Sequence, residues 1–173
     1  MSQIELSYED TKQKMIKEIK KRQFMILATS EEDKVMARTV MFIPDGLSVF
    51  YIMRPATRKY TQIAANPNVA VASGNLQIEG VASSRGHPFA EENTFLMEIL
   101  REMNPELYEH ASRGYPQRPE VELFEVVPSR IALYKSRFFD NVPESYWDIL
   151  YVEREEAYRV KTSGVEEATV YRE

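Results

Sequence analysis

Apolar positions follow a helical spacing in a few segments of the chain and alternate with polar positions in most of the others. Met15, Ile16 and Ile19 would share one side of a helix, so residues 8–21 are predicted to be helical. Ser7, with Asp10 three positions later, resembles a capping box at the start of this helix. The chain therefore opens with an amphipathic helix.

Period-two alternation follows this helix and predicts strands. The segments are "FMILAT" (24–29), "KVMARTVMFI" (34–43) and "LSVFYIM" (47–53). "PDG" at 44–46 predicts a tight turn, because proline and glycine preset the backbone that such turns need. The three strands are predicted to form an antiparallel meander. Arg38 falls on one face of the middle strand, and the opposite face carries Val35, Ala37, Thr39, Met41 and Ile43.

A short helix and a second hairpin are predicted next. Thr57 is the expected N-cap of a helix over 57–65. "NPN" at 66–68 ends it, since a proline disfavours helical backbone at the residue before it. "VAVAS" (69–73) and "LQIEGVASSR" (76–85) then form a hairpin across Gly74 and Asn75.

The last third of the chain combines one long helix with further strands. Residues 87–103 are predicted to be helical, with an apolar face of Phe95, Leu96, Ile99 and Leu100. Residues 104–120 are predicted to be a proline-punctuated connection. Strands are expected over 121–128 and 129–139, with a break at Pro128. The tail after residue 140 has a weaker, strand-like pattern.

These elements predict a mainly β fold with peripheral helices, built as a six-stranded antiparallel barrel. Residues 1–140 are the expected barrel domain. Residues 141–173 are the expected tail, packed on the barrel or on a partner subunit.

Composition narrows the classes of function. The chain has 173 residues, 43% of them hydrophobic, and a net charge of −5, which argues against a general nucleic-acid binder. It has no cysteine and only two histidines, so thiol chemistry is excluded and no metal centre is predicted. No segment approaches a membrane span and no signal peptide is visible. We expect a soluble cytoplasmic protein.

The basic segment "MRPATRKY" (53–60) is the strongest candidate for a binding site. An apolar strand ends here, and Thr57, Arg58 and Lys59 follow at the predicted start of a helix. Helix N-termini expose unpaired N–H groups and attract anions. Arg38 could face this junction from the neighbouring strand, and a cation on an apolar strand face needs a partner. These groups make a plausible phosphate cradle.

A plainer interpretation remains open. Arg58 and Lys59 would then be solvated residues of a first helical turn, where cations oppose the helix dipole by only a few tenths to about 1 kcal/mol. That cost is too small to exclude the plain interpretation.

The order of motifs resembles the pyridoxamine 5′-phosphate oxidase-like family, the FMN-binding split β-barrels. The matching pieces are "ARTV" (37–40), "PDG" (44–46), "TRKYTQIAANPNVAV" (57–71) and "IEGVAS" (78–83). The resemblance covers residues 22–85 well and continues loosely to the strands near 121–135. It implies an FMN-binding homodimer with two flavin sites at the interface.

The resemblance also implies roles for particular residues. Arg38 would contact the flavin phosphate, together with Thr57, Arg58 and Lys59. Asn75 would reach a flavin across the dimer. The backbone lining the isoalloxazine edge would come from Thr39, Val40, Met41, Ile52 and Met53.

The family's named activity is not supported by the C-terminal region. The arginine- and histidine-bearing tail with which true pyridoxamine phosphate oxidases bind substrate phosphate is missing from "YKSRFFDNVPESYWDILYVEREEAYRV" (134–160). Two functions stand: a flavin-dependent oxidoreductase with an unidentified small-molecule electron donor or acceptor, or a non-enzymatic flavin or haem binding protein. No catalytic residue is predicted, and His87 and His110 are expected to have surface or capping roles.

Overall fold

Ten antiparallel strands form one sheet in the computed structural model, which describes residues 3–162. The strands are β1 (Gln3–Glu5), β2 (Phe24–Glu31), β3 (Lys34–Met41), β4 (Ile43–Asp45), β5 (Ser48–Met53), β6 (Asn68–Ser73), β7 (Leu76–Ser84), β8 (Glu122–Lys135), β9 (Tyr146–Tyr151) and β10 (Glu156–Lys161). The helices are α1 (Tyr8–Lys20), α2 (Arg58–Ala65), α3 (Thr94–Met103), which follows a short 3-10 turn, and α4 (Pro105–Gly114). The mainly β fold with peripheral helices is confirmed, whereas the count of six strands is wrong. The sheet does not close into a barrel among the described residues, since β1 and β3 at its ends do not pair.

The strand order is β1-β10-β9-β8-β7-β6-β2-β3, and β5 joins at β8 with β4 on its other side. The expected meander is wrong at one point, because β3 pairs with β2 while β5 pairs with β4 and β8. Phe42, which is buried, separates β3 from β4 at this corner. Arg38 is therefore not opposite the end of β5 in a shared hairpin, as the sequence suggested.

Helix α1 begins and ends almost where the sequence predicts. The hydroxyl of Ser7 accepts a hydrogen bond of 3.3 Å from the backbone N–H of Asp10, which confirms the cap. Met15 and Ile19 are fully buried against the inner face of the sheet. The helix thus closes one end of the main core.

Strand β8 is continuous through Pro128, so the predicted break there is wrong. The register with β7 shifts between Glu79 and Gly80, opposite Pro128 and Ser129. This β-bulge accommodates the missing proline N–H without ending the strand. Gly80 is required at the bulge, since a Cβ there would collide with the carbonyl oxygen of Val127.

The region 87–120 forms two helices instead of one helix and a connection. The side chain of Asn104 accepts a hydrogen bond of 3.0 Å from the N–H of Leu107, and Pro105 occupies the first turn of α4. Leu96 and Leu100 are buried against β4, β5 and β8, but Phe95 is exposed, contrary to prediction. Both helices therefore lie outside the main core, beside β4 and β5.

The tail after residue 140 extends the sheet, because β9 pairs with β8 and β10 pairs with β9. Asp148 on β9 is buried and receives hydrogen bonds from Lys14 of α1 and Arg159 of β10. The proposed division at residue 140 stays a prediction, and residues 163–173 of the predicted tail lie outside the described residues.

Candidate functional site

Arg38 extends from β3 toward helix α2 and is only partly exposed. Its Nη1 donates a hydrogen bond of 2.6 Å to the hydroxyl of Thr29 on β2, and its Nη2 donates one of 3.1 Å to Oε1 of Gln62 on α2. The guanidinium is therefore held in one orientation by two different elements.

Gln62 is the centre of this arrangement and is completely buried. Its Oε1 accepts a second hydrogen bond, of 2.6 Å, from the hydroxyl of Thr29, and its Nε2 donates one of 3.2 Å to the carbonyl of Lys34. Each polar atom of the amide is thus engaged, as buried polar groups require. Gln62 ties α2 to β2 and β3 and brings Arg38 beside the first turns of α2.

The N-cap residue of α2, Thr57, does not cap the helix with its side chain. Helix α2 begins at Arg58, as predicted, and Thr57 occupies the N-cap position with extended backbone. The Thr57 hydroxyl donates to the carbonyl of Arg54 at 2.8 Å rather than accepting from the helix. The first turn of α2 also contains no acidic residue. The N–H groups of this turn thus remain without a side-chain acceptor from the cap.

Three cations lie at the start of α2, where Arg58 is exposed, Lys59 is half-buried and Arg38 reaches the helix through Gln62. Burial lowers the pKa of Lys59, and the nearby charge of Arg38 lowers it further. Burial also lowers the pKa of Arg38, with an opposing effect from Tyr51 and a further lowering by Arg58. Within residues 3–162, none of the three cations has a carboxylate within 4.0 Å. The site is electropositive and lacks a protein counter-ion in the described part of the chain.

A buried phenol lies beside these cations. Tyr51 on β5 is fully buried between Phe42 and Phe124, and its hydroxyl has no hydrogen-bond partner in the structure. Burial raises the pKa of Tyr51 well above its ordinary value, and the charge of Arg38 opposes this increase. The hydroxyl of Tyr51 is thus a buried polar group that no hydrogen bond in the structure satisfies.

The first turn of α2 is also anchored from outside the cradle. The hydroxyl of Tyr60 donates a hydrogen bond of 2.9 Å to Glu122 on β8, and the hydroxyl of Ser84 donates to the other oxygen of the same carboxylate. This carboxylate therefore positions α2 from the side opposite Gln62.

The predicted ring-lining residues divide between two environments. Thr39 is exposed on the outer face of β3, opposite Arg38, and Met53 is buried in the main core. Val40, Met41 and Ile52 meet at a small apolar cavity beside α4. Three of the five positions are thus brought together.

Asn75 lies apart from the cradle of its own chain. Its Oδ1 accepts a hydrogen bond of 2.8 Å from Arg22, and its Nδ2 donates one of 2.8 Å to the carbonyl of Tyr134. It occupies the turn between β6 and β7, with β2 between β6 and Arg38's strand. Its predicted contact with a flavin across a dimer stays a prediction.

The histidines have the structural or surface positions expected of them. Nδ1 of His87 accepts from the N–H of Phe89 at 3.1 Å, so Nε2 carries the proton and donates to the carbonyl of Tyr115 at 3.1 Å. His110 is exposed on α4. Among the described residues, no group of three or more His, Asp or Glu side chains could hold a metal ion, and no helix is long and apolar enough to cross a membrane.

The sequence interpretation missed Thr29, Gln62 and Tyr51. Gln62 follows Arg58 by four positions, and so lies one helical turn away. That spacing, together with a glutamine in an otherwise apolar helix face beside Ile63, was the available signal. No local pattern marks Thr29 or Tyr51, because each is placed by long-range pairing.

A model of the pyridoxamine 5′-phosphate oxidase family matches residues 11–135, well over half of the chain. The matched region contains Arg38, Arg58 and Lys59, strands β2 and β3, and helix α4. No match was found among curated proteins.

Several solved structures share the fold. A pyridoxamine 5′-phosphate oxidase-related, FMN binding protein from Nostoc punctiforme PCC 73102 is 14% identical, with a TM-score of 0.54 over 88% of this chain and 93% of that one. General Stress Protein 26 from Bacillus anthracis str. Sterne is 24% identical, with a TM-score of 0.52 over 68% and 89%. A heme binding protein from Mycobacterium smegmatis is 12% identical, with a TM-score of 0.59 over 82% and 57%. At these identities the likeness concerns the fold alone.

Proposed function

The chain belongs to the pyridoxamine 5′-phosphate oxidase family, and from this premise we propose that it is an FMN-binding flavoprotein. The observation that carries the proposal is the convergence of Arg38, Arg58 and Lys59 without a carboxylate partner among the described residues. Electrostatic repulsion disfavours three cations at one place, and a bound phosphate would offset this repulsion.

The residues of the cradle fit a phosphate group. Arg38 would donate from the guanidinium that Gln62 and Thr29 hold in place, since an arginine fork suits two phosphate oxygens. Arg58 and Lys59 would add charge, and the first N–H groups of α2 would complete the cradle. Thr57 would release its bond to Arg54 and turn its hydroxyl toward the same phosphate.

A monophosphate suits this cradle better than a dinucleotide. Arg58 and Lys59 lie in the first turn of α2, and Arg38 reaches the same helix from β3. The chain has no glycine-rich dinucleotide loop after a strand. FMN is therefore the proposed cofactor in preference to FAD. The unpaired hydroxyl of Tyr51, which interacts electrostatically with Arg38, is a further candidate donor.

A second copy of the chain is proposed to cover the outer face of the sheet. Paired residues of antiparallel strands point to the same face, and the register places a set of large apolar side chains, 45–71% exposed, on this one face. They are Phe24, Ile26, Val35, Val81 and Val127. A homodimer burying more than about 1,000 Å² would cover them.

Light scattering on the FMN-loaded protein tests this assembly. The wild type should have the mass of a dimer at micromolar concentration. Val35→Glu should yield a monomer, because it places a charge in the interface, whereas Ile4→Glu on exposed β1 should not. A monomeric wild type would refute the dimer.

The proposed reaction class is oxidation or reduction of a small molecule. Bound FMN supplies electron transfer in one- or two-electron steps, and the protein binds, orients and shields it. No side chain near the cradle need act as a general acid or base. The chain's own contribution is thus to hold the cofactor and to shape the space beside it.

Haem binding by a non-enzymatic protein is the alternative, since a heme binding protein shares the fold. The histidines give it little support. Both ring nitrogens of His87 are engaged within the chain, and His110 is exposed. An axial haem ligand would therefore be His110 or a residue other than histidine.

Cofactor identification tests the proposal. The purified protein, reconstituted separately with FMN, FAD and haemin, is desalted and denatured, and the released cofactor is identified by chromatography and visible absorption. Retention of FMN in a ratio near one per chain is expected. Retention of haemin alone, or of no flavin, would overturn it. Anaerobic reduction by NADH or NADPH then tests enzymatic competence.

A further inference from the structure

A small apolar cavity lies between the sheet and helix α4. Its volume is about 130 Å³. Strands contribute Val40, Met41, Ile43 and Ile52, and α4 with the residue after it contributes Leu107, Ala111 and Tyr115. No charged side chain lines it, and the phenol of Tyr115 is the only polar side-chain group among the lining residues. The cavity would therefore accept an uncharged group.

The wall formed by α4 is fixed in place. The N–H of Tyr115 donates to the carbonyl of Ala111 at 2.8 Å, which closes the helix end. The carbonyl of Tyr115 accepts from Nε2 of His87, and the other nitrogen of that ring accepts from Phe89. Because both sides of the imidazole are engaged, the end of α4 cannot shift toward the sheet without losing hydrogen bonds. Hydrogen bonds within the chain thus hold this wall of the cavity in position.

The cavity also lies next to the proposed cofactor site. Val40 and Met41, whose side chains leave opposite faces of β3, both line the cavity, so it lies at the end of this strand. Arg38 is two residues from Val40, or about 7 Å along the strand. A molecule held by its phosphate at Arg38 and extending along β3 would bring its distal part to the mouth of this cavity.

Resting on the proposed function, we infer that the cavity binds an uncharged apolar group of the substrate, of about the size of one six-membered ring. A cavity of about 150 Å³ in another protein binds benzene, so this volume suits a single ring and is too small for the three fused rings of the flavin. Since no cation lines the cavity, a charged group of the substrate, such as a phosphate, would have to lie outside it.

Ligand-observed ¹⁹F NMR on the FMN-loaded protein tests this inference. The probes are 4-fluorobenzyl alcohol and its charged counterpart 4-fluorobenzoate. Ala111→Leu fills the cavity from a fully buried position, and Leu107→Ala enlarges it. His110→Leu adds a similar side chain on the exposed face of the same helix and is the matched control.

The wild type and His110→Leu should bind the alcohol and reject the benzoate. Ala111→Leu should weaken binding of the alcohol by about tenfold or more, the scale on which apolar pockets discriminate size. Leu107→Ala should keep the alcohol and also admit 1-fluoronaphthalene, which keeps the test decisive if Ala111→Leu is unstable.

The outcomes separate this inference from the proposed function. Unchanged alcohol binding in Ala111→Leu with FMN retained, or preference for the benzoate, would overturn the inference and leave the flavin site standing. Failure of the wild type to take up FMN would overturn the proposed function and the inference together.

Discussion

The guanidinium of Arg38 donates a hydrogen bond of 3.1 Å to the side-chain oxygen of the fully buried Gln62. This contact joins an edge strand to the helix that begins with Arg58 and Lys59. The cations therefore meet because of α2's docking on β2, and not because β3 and β5 share a hairpin. The geometry of the proposed phosphate cradle therefore depends on Gln62, which carries no charge.

Gln62→Leu should consequently weaken FMN binding while sparing riboflavin, which lacks the phosphate. The lost support of Arg38 should cost about 1–2 kcal/mol, or about five- to thirtyfold in affinity. Fluorescence titration with both flavins measures the difference. Gln13→Leu on exposed α1 is the control. Equal losses for the two flavins would indicate general disruption of the fold instead.

The lowered pKa of Lys59 predicts an alkaline limit to FMN affinity. Burial and Arg38 disfavour its cation in the free protein, whereas a phosphate favours it, so binding should take up protons. FMN affinity should fall as pH rises toward a pKa below the ordinary lysine value of about 10.4. Titrations with FMN between about pH 7 and pH 10 test this. Parallel titrations with riboflavin correct for ionisation of the isoalloxazine ring, which both flavins carry. Lys59→Arg should remove the decline, since arginine stays charged; persistence of the decline in that variant would refute the assignment.

Asp148 should contribute stability at neutral pH that is lost in acid. Burial acts to raise the pKa of Asp148, but hydrogen bonds and charges from Arg159 and Lys14 outweigh it, so its net pKa is lowered. A lowered carboxyl pKa stabilises the fold above the unfolded value, and this contribution disappears as pH falls through the folded value.

Asp148→Asn should lower the free energy of unfolding by about 2–4 kcal/mol at pH 7, since both cations are partly exposed and a fully buried pair would cost more. Urea unfolding at pH 7 and at about pH 3 measures this. The gap from wild type should shrink at the lower pH. Asp33→Asn, in an exposed turn, should have little effect at either pH. A gap that is constant with pH would contradict the electrostatic explanation.

Gly80→Ala should destabilise the sheet at the bulge opposite Pro128. The new Cβ would meet the carbonyl of Val127 and lie 3.0 Å from Cα of Pro128, and backbone atoms cannot move aside as a flexible side chain can. A loss of about 1–3 kcal/mol is expected. Gly114→Ala is the matched control, because its Cβ would meet nothing within 4 Å and should be neutral or stabilising by up to about 1 kcal/mol. Similar unfolding midpoints for both variants would refute the close contact.

Local signals in the sequence predicted most of the elements correctly. The cap at Ser7 and the start of α2 after Thr57 depend on neighbouring residues only. The same holds for the turn predicted at 44–46, although it forms at Gly46 and Leu47 while Pro44 and Asp45 belong to β4. Helix α4 was also locally encoded, since Asn104 followed by Pro105 is a favourable N-cap and first turn. The prolines further along the segment, at 116 and 119, instead favour a connection, so the sequence pattern does not reveal this helix.

Contacts between distant elements could not be predicted in the same way. β8 continues through Pro128 only because β7 offers Gly80 for a bulge, and the two positions are far apart in the chain. The contact of Arg38 with Gln62 likewise depends on how α2 docks on β2. The sequence could therefore place the cations near each other by resemblance, but the residues that orient them required the structure.

The central claim is that Arg38, Arg58 and Lys59 form a phosphate cradle, and the affinity of Lys59→Ala for FMN and for riboflavin tests it most directly. FMN binding should weaken by roughly 1.5–3 kcal/mol, or about ten- to a hundredfold, as for loss of a charged hydrogen bond. Riboflavin should bind the wild type far more weakly than FMN and be nearly indifferent to the substitution. Lys17→Ala, which removes an exposed cation from α1, should change neither affinity. Equal losses of FMN and riboflavin binding in Lys59→Ala would contradict the cradle and leave the basic segment as a solvated helix start.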